Sequence, residues 1–403
     1  MGRGSLRFVL LRLKLTFDDR MSLVIKIQLF FFILRYLLMS SLNIGITFNN
    51  TVSLAQAIGS NGIAQNVKFF YDLLLKIGHK PYLLVPQPVE GKRIEMAGKA
   101  YKAYTMKQVV SSKEPTHLLC EIAVSVHEND RRILREHFGA KVVAIKYGHS
   151  MYMDMEEMCY APGRMKGQLY HSKPDEVWAS PHFTKAFSYW ETIFDAPVKI
   201  CPFIWEPDFL SGEPEMIRKK RPNVYVMEPN ISVLKNALIP MAIIEDMYRK
   251  APETFEAAFI VNGRHFNEQP YFLDSIVRNF SCFLADAKKA FFTPRAPFAD
   301  VFKERDVLIG HQMGCELNYL YMEALYRNIP LVHNSPAYRD VGYYYEDCEV
   351  FEGQKQLKAA IADENPEDTY RSNLAFLKQY SISSKKVQDA YISMINSLIT
   401  ADS

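Results

Sequence analysis

The feature that most constrains this chain is a repeated alternation. From Leu42 onward, short apolar runs of strand length take turns with stretches whose apolar residues recur at helical spacing. Asn43–Phe48, Pro81–Val85, Leu118–Val124, Val142–Tyr147, Asp175–Ala179 and Val198–Cys201 read as strands. Between them, Ile63, Val67, Phe70, Tyr71, Leu74 and Leu75 share a helical face that Gly78 ends, and Asp130–Phe138 and Phe183–Ile193 read as further helices. The pattern breaks at Pro202–Pro222, a stretch with four prolines, Gly212 and a basic cluster at Arg218–Arg221, and restarts at Asn223–Met227. Strands are then expected at Ala257–Val261, Ala290–Phe292, Val307–Gly310 and Pro330–His333. Helices are expected with Pro240 in a first turn and over Tyr271–Phe280, Pro297–Lys303, Glu316–Tyr326 and Tyr370–Ile399. Strand–helix alternation of this kind implies parallel sheets with right-handed crossovers, hence an α/β chain built as two halves. The expected division is a leader at 1–40, a first domain at 41–203, a linker at 204–222 and a second domain at 223–403.

Charge narrows the partners. Residues 1–38 carry seven Lys/Arg and two acids, a net +5, so the rest of a chain whose total is +3 carries −2. A body without basic excess is not that of a general nucleic-acid binder. The six cysteines, at 120, 159, 201, 282, 315 and 348, form no Cys-x-x-Cys pair, so neither a zinc site nor a redox dithiol is indicated. Scattered single thiols fit a reducing compartment, and the expected location is the cytoplasm. Membrane contact is open only through residues 21–38, where Lys26, Gln28 and Arg35 interrupt the apolar run; each charge near a bilayer centre costs about 3 kcal/mol. A non-native or disordered leader, with the protein starting at Met39, is the preferred reading.

The candidate chemistry lies at the carboxyl ends of the expected strands, where open parallel sheets bind ligands. The loop His311–Cys315 leads from a strand into a helix. Gly314 would let a phosphate approach the backbone, and the helix-start amides, including that of Cys315, would favour an anion. On that helix Glu316 and Glu323 are seven apart, so they are expected on one side, about 10 Å apart along the axis. A carboxylate at Glu323 can accept both hydrogen bonds of a ribose diol. The stretch Glu228–Lys235 follows the first strand of the second half. Lys235 could neutralise a diphosphate and Asn230 could donate to one. In the first half, Asn61 and Gly62 stand at the helix opening after the first strand, and His149 follows a strand in KYGHS; these are the candidate acceptor-side residues. No full Gly-x-Gly-x-x-Gly fingerprint marks a dinucleotide site, and no Asp-x-Asp or His/Cys/Asp spacing marks a metal.

These pieces in this order resemble a GT-B glycosyltransferase, two Rossmann-like domains facing across a cleft. MEALYRNIPLV at Met322–Val332 resembles the Glu-Ala-x-Ala-x-Gly-x-Pro-Val-Val signature of the family 4 retaining enzymes, and places Glu323 on the ribose-binding acid. PFIWEPDF at Pro202–Phe209 resembles their interdomain segment, and Tyr225–Lys235 resembles their Gly-Arg-x-x-x-x-Lys element, placing Lys235 on the diphosphate lysine. MEPNISVLK, PFIWEPDF and PLVHNSPAYRDVGYYY further resemble a bacterial family of GT-B-like proteins known only as a domain of unknown function. Two departures stand out: Glu316 and Glu323 give Glu-x6-Glu where the related enzymes carry Glu-x7-Glu, and Asn230 occupies the usual Arg position.

The resemblance implies a retaining, metal-independent glycosyltransferase without a bound cofactor, moving a sugar from a nucleotide-sugar to a glycan or glycoconjugate acceptor. Lys235, Glu316 and His149 would be its catalytic residues. Asn230, Lys235, Gly314, Cys315, Glu316 and Glu323 would hold the donor, and Asn61, Gly62 and His149 would face the acceptor. The lost Arg motivates a rival, a non-catalytic glycan- or nucleotide-binding protein on the same scaffold; a nucleotide-sugar epimerase is a third reading.

Overall fold

A computed structural model describes residues 41–50, 62–112, 115–122, 124–160, 173–302 and 304–400. The expected leader and its stretch 21–38 lie outside these residues, as does Asn61.

The apolar runs become strands buried on both faces: all five residues of Leu118–Ile122 are buried, and Ile44 and Ile46 are fully covered. Such strands read as continuous hydrophobic runs because helices cover both sides of a parallel sheet. In chain order the first half contains β1 (Asn43–Thr47), α1 (Gly62–Lys76), β2 (Lys80–Leu84), β3 (Arg93–Met96), β4 (Lys99–Tyr104), α2 (Met106–Val110), β5 (Leu118–Ile122), α3 (Glu128–Phe138), β6 (Lys141–Lys146), α4 (Ser150–Tyr160), β7 (Glu176–Ala179), α5 (Phe187–Phe194) and β8 (Val198–Ile200). The second half contains β9 (Val224–Val226), α6 (Leu238–Lys250), β10 (Ala258–Val261), α7 (Pro270–Ser275), β11 (Ala290–Thr293), α8 (Phe298–Val301), β12 (Val307–Ile309), α9 (Tyr319–Tyr326), β13 (Leu331–His333), β14 (Tyr343–Tyr344), α10 (Val350–Ala362), α11 (Pro366–Leu377) and α12 (Lys385–Thr400).

Among the described residues the strands form two sheets. One has eight strands in the order β3-β4-β2-β1-β5-β6-β7-β8, and the other six in the order β11-β10-β9-β12-β13-β14. Every pairing is parallel except β3–β4. The six-stranded order is the Rossmann 3-2-1-4-5-6, whose switch point falls between β9 and β12.

Three elements differ from the sequence expectation. The β3–β4 hairpin was not foreseen, because Arg93–Tyr104 is charged and lies at a sheet edge; its turn, Ala97–Gly98, has positive φ at both residues, as a two-residue hairpin turn requires. Ser150–Tyr160 is helical although no periodicity announced it. Helix α9 begins at Tyr319, not at Glu316: Asn318 is extended at φ −128°, and its side chain accepts from the Leu320 amide as an N-cap.

The halves are tied by specific contacts. Tyr319 on α9 donates to the Ile204 carbonyl at 2.9 Å and bonds Asn66 on α1, and its ring meets Phe69 edge-on at 5.6 Å. Arg327 clamps the crossing segment through the Ser211 and Glu213 carbonyls and the Glu215 carboxylate. Helix α12 returns to the first half, where the fully buried Tyr391 donates to the Pro202 carbonyl and packs on Phe70 and Trp178.

Candidate functional site

A cavity of about 280 Å³ opens at the switch point of the six-stranded sheet and is closed on its far side by α1. Gly62 and Gln65 line it from the first half; Glu228, Lys235, Arg295 and Glu323 line it from the second. The structure therefore brings together Lys235, Glu323 and Gly62, three residues singled out from sequence. Gly62 is the first residue of α1, as its position in SNGIAQN suggested. No helix among the described residues is long and apolar enough to cross a membrane, and no group of three or more His, Cys, Asp or Glu side chains among them converges on a metal-sized site.

Glu323 sits on the buried face of α9. Its carboxylate accepts from the Gln65 side-chain amide at 3.3 Å, so its present partner comes from the opposite half. Burial disfavours the charged form and pushes the carboxyl up to about 7, against the Gln65 hydrogen bond, which favours it. Lys235 is half-buried in a tight loop: Asn230 N–H donates to the Lys235 carbonyl, and Lys235 N–H donates to that of Ser232. The ammonium makes no ion pair within 4 Å among the described residues, although its field reaches Glu228, His182 and Cys315. Arg295, at the end of the loop after β11, adds a second cation to the wall.

The remaining expected residues are placed differently. Glu316 is not on the helix and does not line the cavity. It lies in the extended segment before α9, its carbonyl accepting from the Ser335 hydroxyl at 2.8 Å, while burial raises its carboxyl against the Lys185 charge and the Ala337 amide. The shared helical side expected for Glu316 and Glu323 fails because Asn318 caps the helix three residues late. Asn230, at φ +56°, spends its side chain on its own loop: Nδ2 donates to the Glu228 carbonyl, and Oδ1 accepts from Ala237 N–H at 2.8 Å. It borders a separate cavity with Asn262 and His265, so it is a loop organiser, not a diphosphate donor in this conformation.

The expected main-chain donors are likewise engaged. Cys315 N–H donates to Gln312 Oε1 at 2.7 Å, and the Leu320 amide is capped by Asn318. Gly314 adopts φ +71°, and a Cβ there would stand 3.3 Å from His149 and from Tyr152. Gly314 and Cys315 thus form the seam where the second half rests on the first, not the cavity wall. His149 is part of that seam. It is buried among Tyr152, Phe183 and Trp190, and burial lowers its imidazole to about 4, which keeps it neutral near pH 7.

Two residues escaped the sequence reading. His182 follows β7 as His149 follows β6, and it lies close enough to feel both His149 and Lys235, burial holding its imidazole down to about 3. The carboxyl-end rule that selected His149 selects His182 equally. Glu228 follows β9 by two residues and is fully buried; its Oε1 accepts from His311 N–H at 3.1 Å and from the Tyr321 hydroxyl at 3.3 Å. It belonged to a stretch singled out for Asn230 and Lys235, and a carboxylate directly after a buried strand was the available signal.

Comparison with solved structures places this architecture. The chain is similar to an alpha,alpha-trehalose-phosphate synthase (UDP-forming) from Burkholderia vietnamiensis, at 12% identity and a TM-score of 0.57, with 90% of this chain and 98% of that one covered. It is similar to the lipopolysaccharide outer core galactosyltransferase WaaB, at 12% identity and a TM-score of 0.51, with 90% and 100% covered. It also matches S. aureus TarM at 10% identity and a TM-score of 0.48, where it spans 69% of its own length but only 55% of TarM. No curated protein matches it. The fold is that of the GT-B glycosyltransferases, two parallel α/β domains. Residues 44–395 match the family described as "Protein of unknown function (DUF2827)", and the chain belongs to that family.

Proposed function

We propose that the protein is a glycosyltransferase that binds a nucleotide-sugar in the cavity between its halves. The observation that carries this reading is the convergence of Lys235 and Glu323 on one cavity at the switch point of the second sheet. In this reading Glu323 exchanges its Gln65 partner for the ribose diol, and Lys235 with Arg295 neutralises the diphosphate. Transfer breaks the bond between the anomeric carbon and the diphosphate oxygen, the electron pair leaving with the diphosphate. Stabilising that charge is where the rate would come from. Retention of configuration and independence of metal follow from the family 4 resemblance. The acceptor would enter beside Gly62; His149 is assigned to the seam and not to proton transfer.

The test begins with thermal shift against UDP, GDP, ADP and TDP, because a ligand that binds only the folded state raises its stability. At least one should raise the midpoint, and K235A should abolish the rise. A midpoint unmoved by all four, at concentrations where related binders saturate, would defeat the reading.

A second reading, binding without transfer, is favoured by the engagement of Asn230, Cys315 N–H and Leu320 N–H within the protein. Fewer donors then face the leaving group than the family 4 resemblance implies. Nucleotide binding without hydrolysis or transfer across a donor panel would select it.

A further inference from the structure

Glu228 is a titratable group in the cavity wall to which the reading above gives no role. Its Oε1 is held by the His311 amide and the Tyr321 hydroxyl, and its Oε2 has no hydrogen-bond partner among the described residues. The carboxylate is fully buried, and the cation whose field reaches it is Lys235. The other groups packed on it bring no positive charge near neutral pH. Tyr321 and Tyr345 are held neutral by burial, and so is the Cys315 thiol. The His311 imidazole, lowered to about 4, faces the Tyr345 hydroxyl and the Cys348 sulfur. Glu323 and Arg295 stand in the same cavity wall.

A buried carboxylate that depends on one cation loses its support when that cation is taken by something else. A nucleotide-sugar brings a doubly anionic diphosphate, and the proposed function directs it to Lys235. We propose that Glu228 is the charge-compensating residue of the site: ionised opposite Lys235 when the cavity is empty, and protonated when a diphosphate takes Lys235 over, so that binding takes up a proton from solvent. This rests on the reading that a diphosphate binds at Lys235. The proton goes from solvent to the Glu228 carboxylate, and no bond of the ligand changes. Burial, which already pushes the Glu228 carboxyl up to about 7, places the exchange in the neutral range. Glu228 touches neither sugar nor phosphate in this scheme; it is a positioning residue that sets the charge, and with it the pH dependence, of donor binding.

The test is calorimetric titration with UDP-glucose, GDP-mannose, ADP-glucose and TDP-glucose, whose diphosphates do not titrate near neutrality. Each is run at pH 7.5 in buffers of different ionisation enthalpy, so that the slope counts protons. Wild type should take up more protons than E228Q. The two should bind alike at pH 6, where Gln resembles the neutral acid, and E228Q should bind about tenfold more tightly at pH 8.5. Glu323 would release a proton on accepting the ribose diol, so the comparison is repeated in the E323Q background, where the uptake should stand alone. Binding with the same proton count in E228Q overturns this inference and leaves the proposed function intact, whereas no binding of any of the four to wild type overturns both. Should E228Q not fold, the wild type decides: its affinity must weaken from pH 6 to pH 8.5 in the E323Q background, and a flat profile overturns the inference.

Discussion

The two sheets share the order 3-2-1-4-5-6 around their central strands, once the β3 edge and β8 are set aside, yet they bridge the switch point with different chemistry. In the first half, the Thr47 hydroxyl at the end of β1 donates to the Ile122 carbonyl at 3.1 Å and accepts from the Ile122 amide at 2.9 Å. That bridge is neutral and complete. In the second half, the equivalent place after β9 holds Glu228, which reaches the amide of His311 beyond β12 and leaves one oxygen without a partner. The buried acids repeat the contrast. Glu121 in the first half is matched by Arg131, whose Nε donates at 2.8 Å with a second bond from Nη2. Glu228 and Glu323 in the second half have no ion pair within 4 Å among the described residues. Topology supplies a crevice in both halves; unpaired charge distinguishes the one suited to an anionic ligand.

The largest expected effect tests the satisfied half. R131A should lower stability by about 3–5 kcal/mol in denaturant unfolding, since it strands Glu121 without its cation. Nucleotide affinity, measured where the variant remains folded, should be unchanged. A loss under 1 kcal/mol would mean that the pair is not the buried, complete one described. Next, K235A should reduce kcat/KM for sugar transfer at least 100-fold, about 3 kcal/mol, with stability nearly unchanged because Lys235 makes no ion pair among the described residues.

The third test uses pH. The Glu323 carboxyl lies near 7 when folded, against about 4.3 in an unfolded chain. Between those values the folded state binds more protons, so this group removes stability as pH rises through the window. E323Q should therefore gain about 1–3 kcal/mol over wild type at pH 8 and nothing at pH 4, by urea unfolding at both. An equal effect at the two pH values would show that its ionisation is not at issue. The smallest effect compares two glycines. G314A should cost about 1–2 kcal/mol, because φ is +71° and the new Cβ presses on His149 and Tyr152 at 3.3 Å. G62A, whose Cβ would meet Tyr319 at an ordinary 3.7 Å, should stay within about 0.5 kcal/mol. Equal midpoints for the two would detach the seam from Gly314.

Much of the fold was legible in advance because burial on both faces writes strands as apolar runs. Val142–Tyr147 and Val307–Gly310 are examples, and the restart after Pro222 separates the sheets. The edge hairpin β3–β4 was not legible, since exposed strands need no such runs. In the site, Lys235 and Glu323 were legible through resemblance and position. Glu316 was misplaced by one capping residue, Asn318, whose identity was in plain view but whose geometry was not.

The sequence by itself determined the α/β class, the two-part layout and the residues able to meet a diphosphate and a ribose, because these follow from local periodicity and from residue chemistry at strand ends. Only the tertiary structure decided which of them share a space. Asn230 and Cys315 N–H are consumed by neighbours, His149 is walled in by three aromatic rings, and Glu228 is left with an oxygen unpartnered. Partnership and desolvation are set by atoms far apart in the chain, such as Gln65 and Glu323 or His149 and Gly314, and no local pattern encodes those distances.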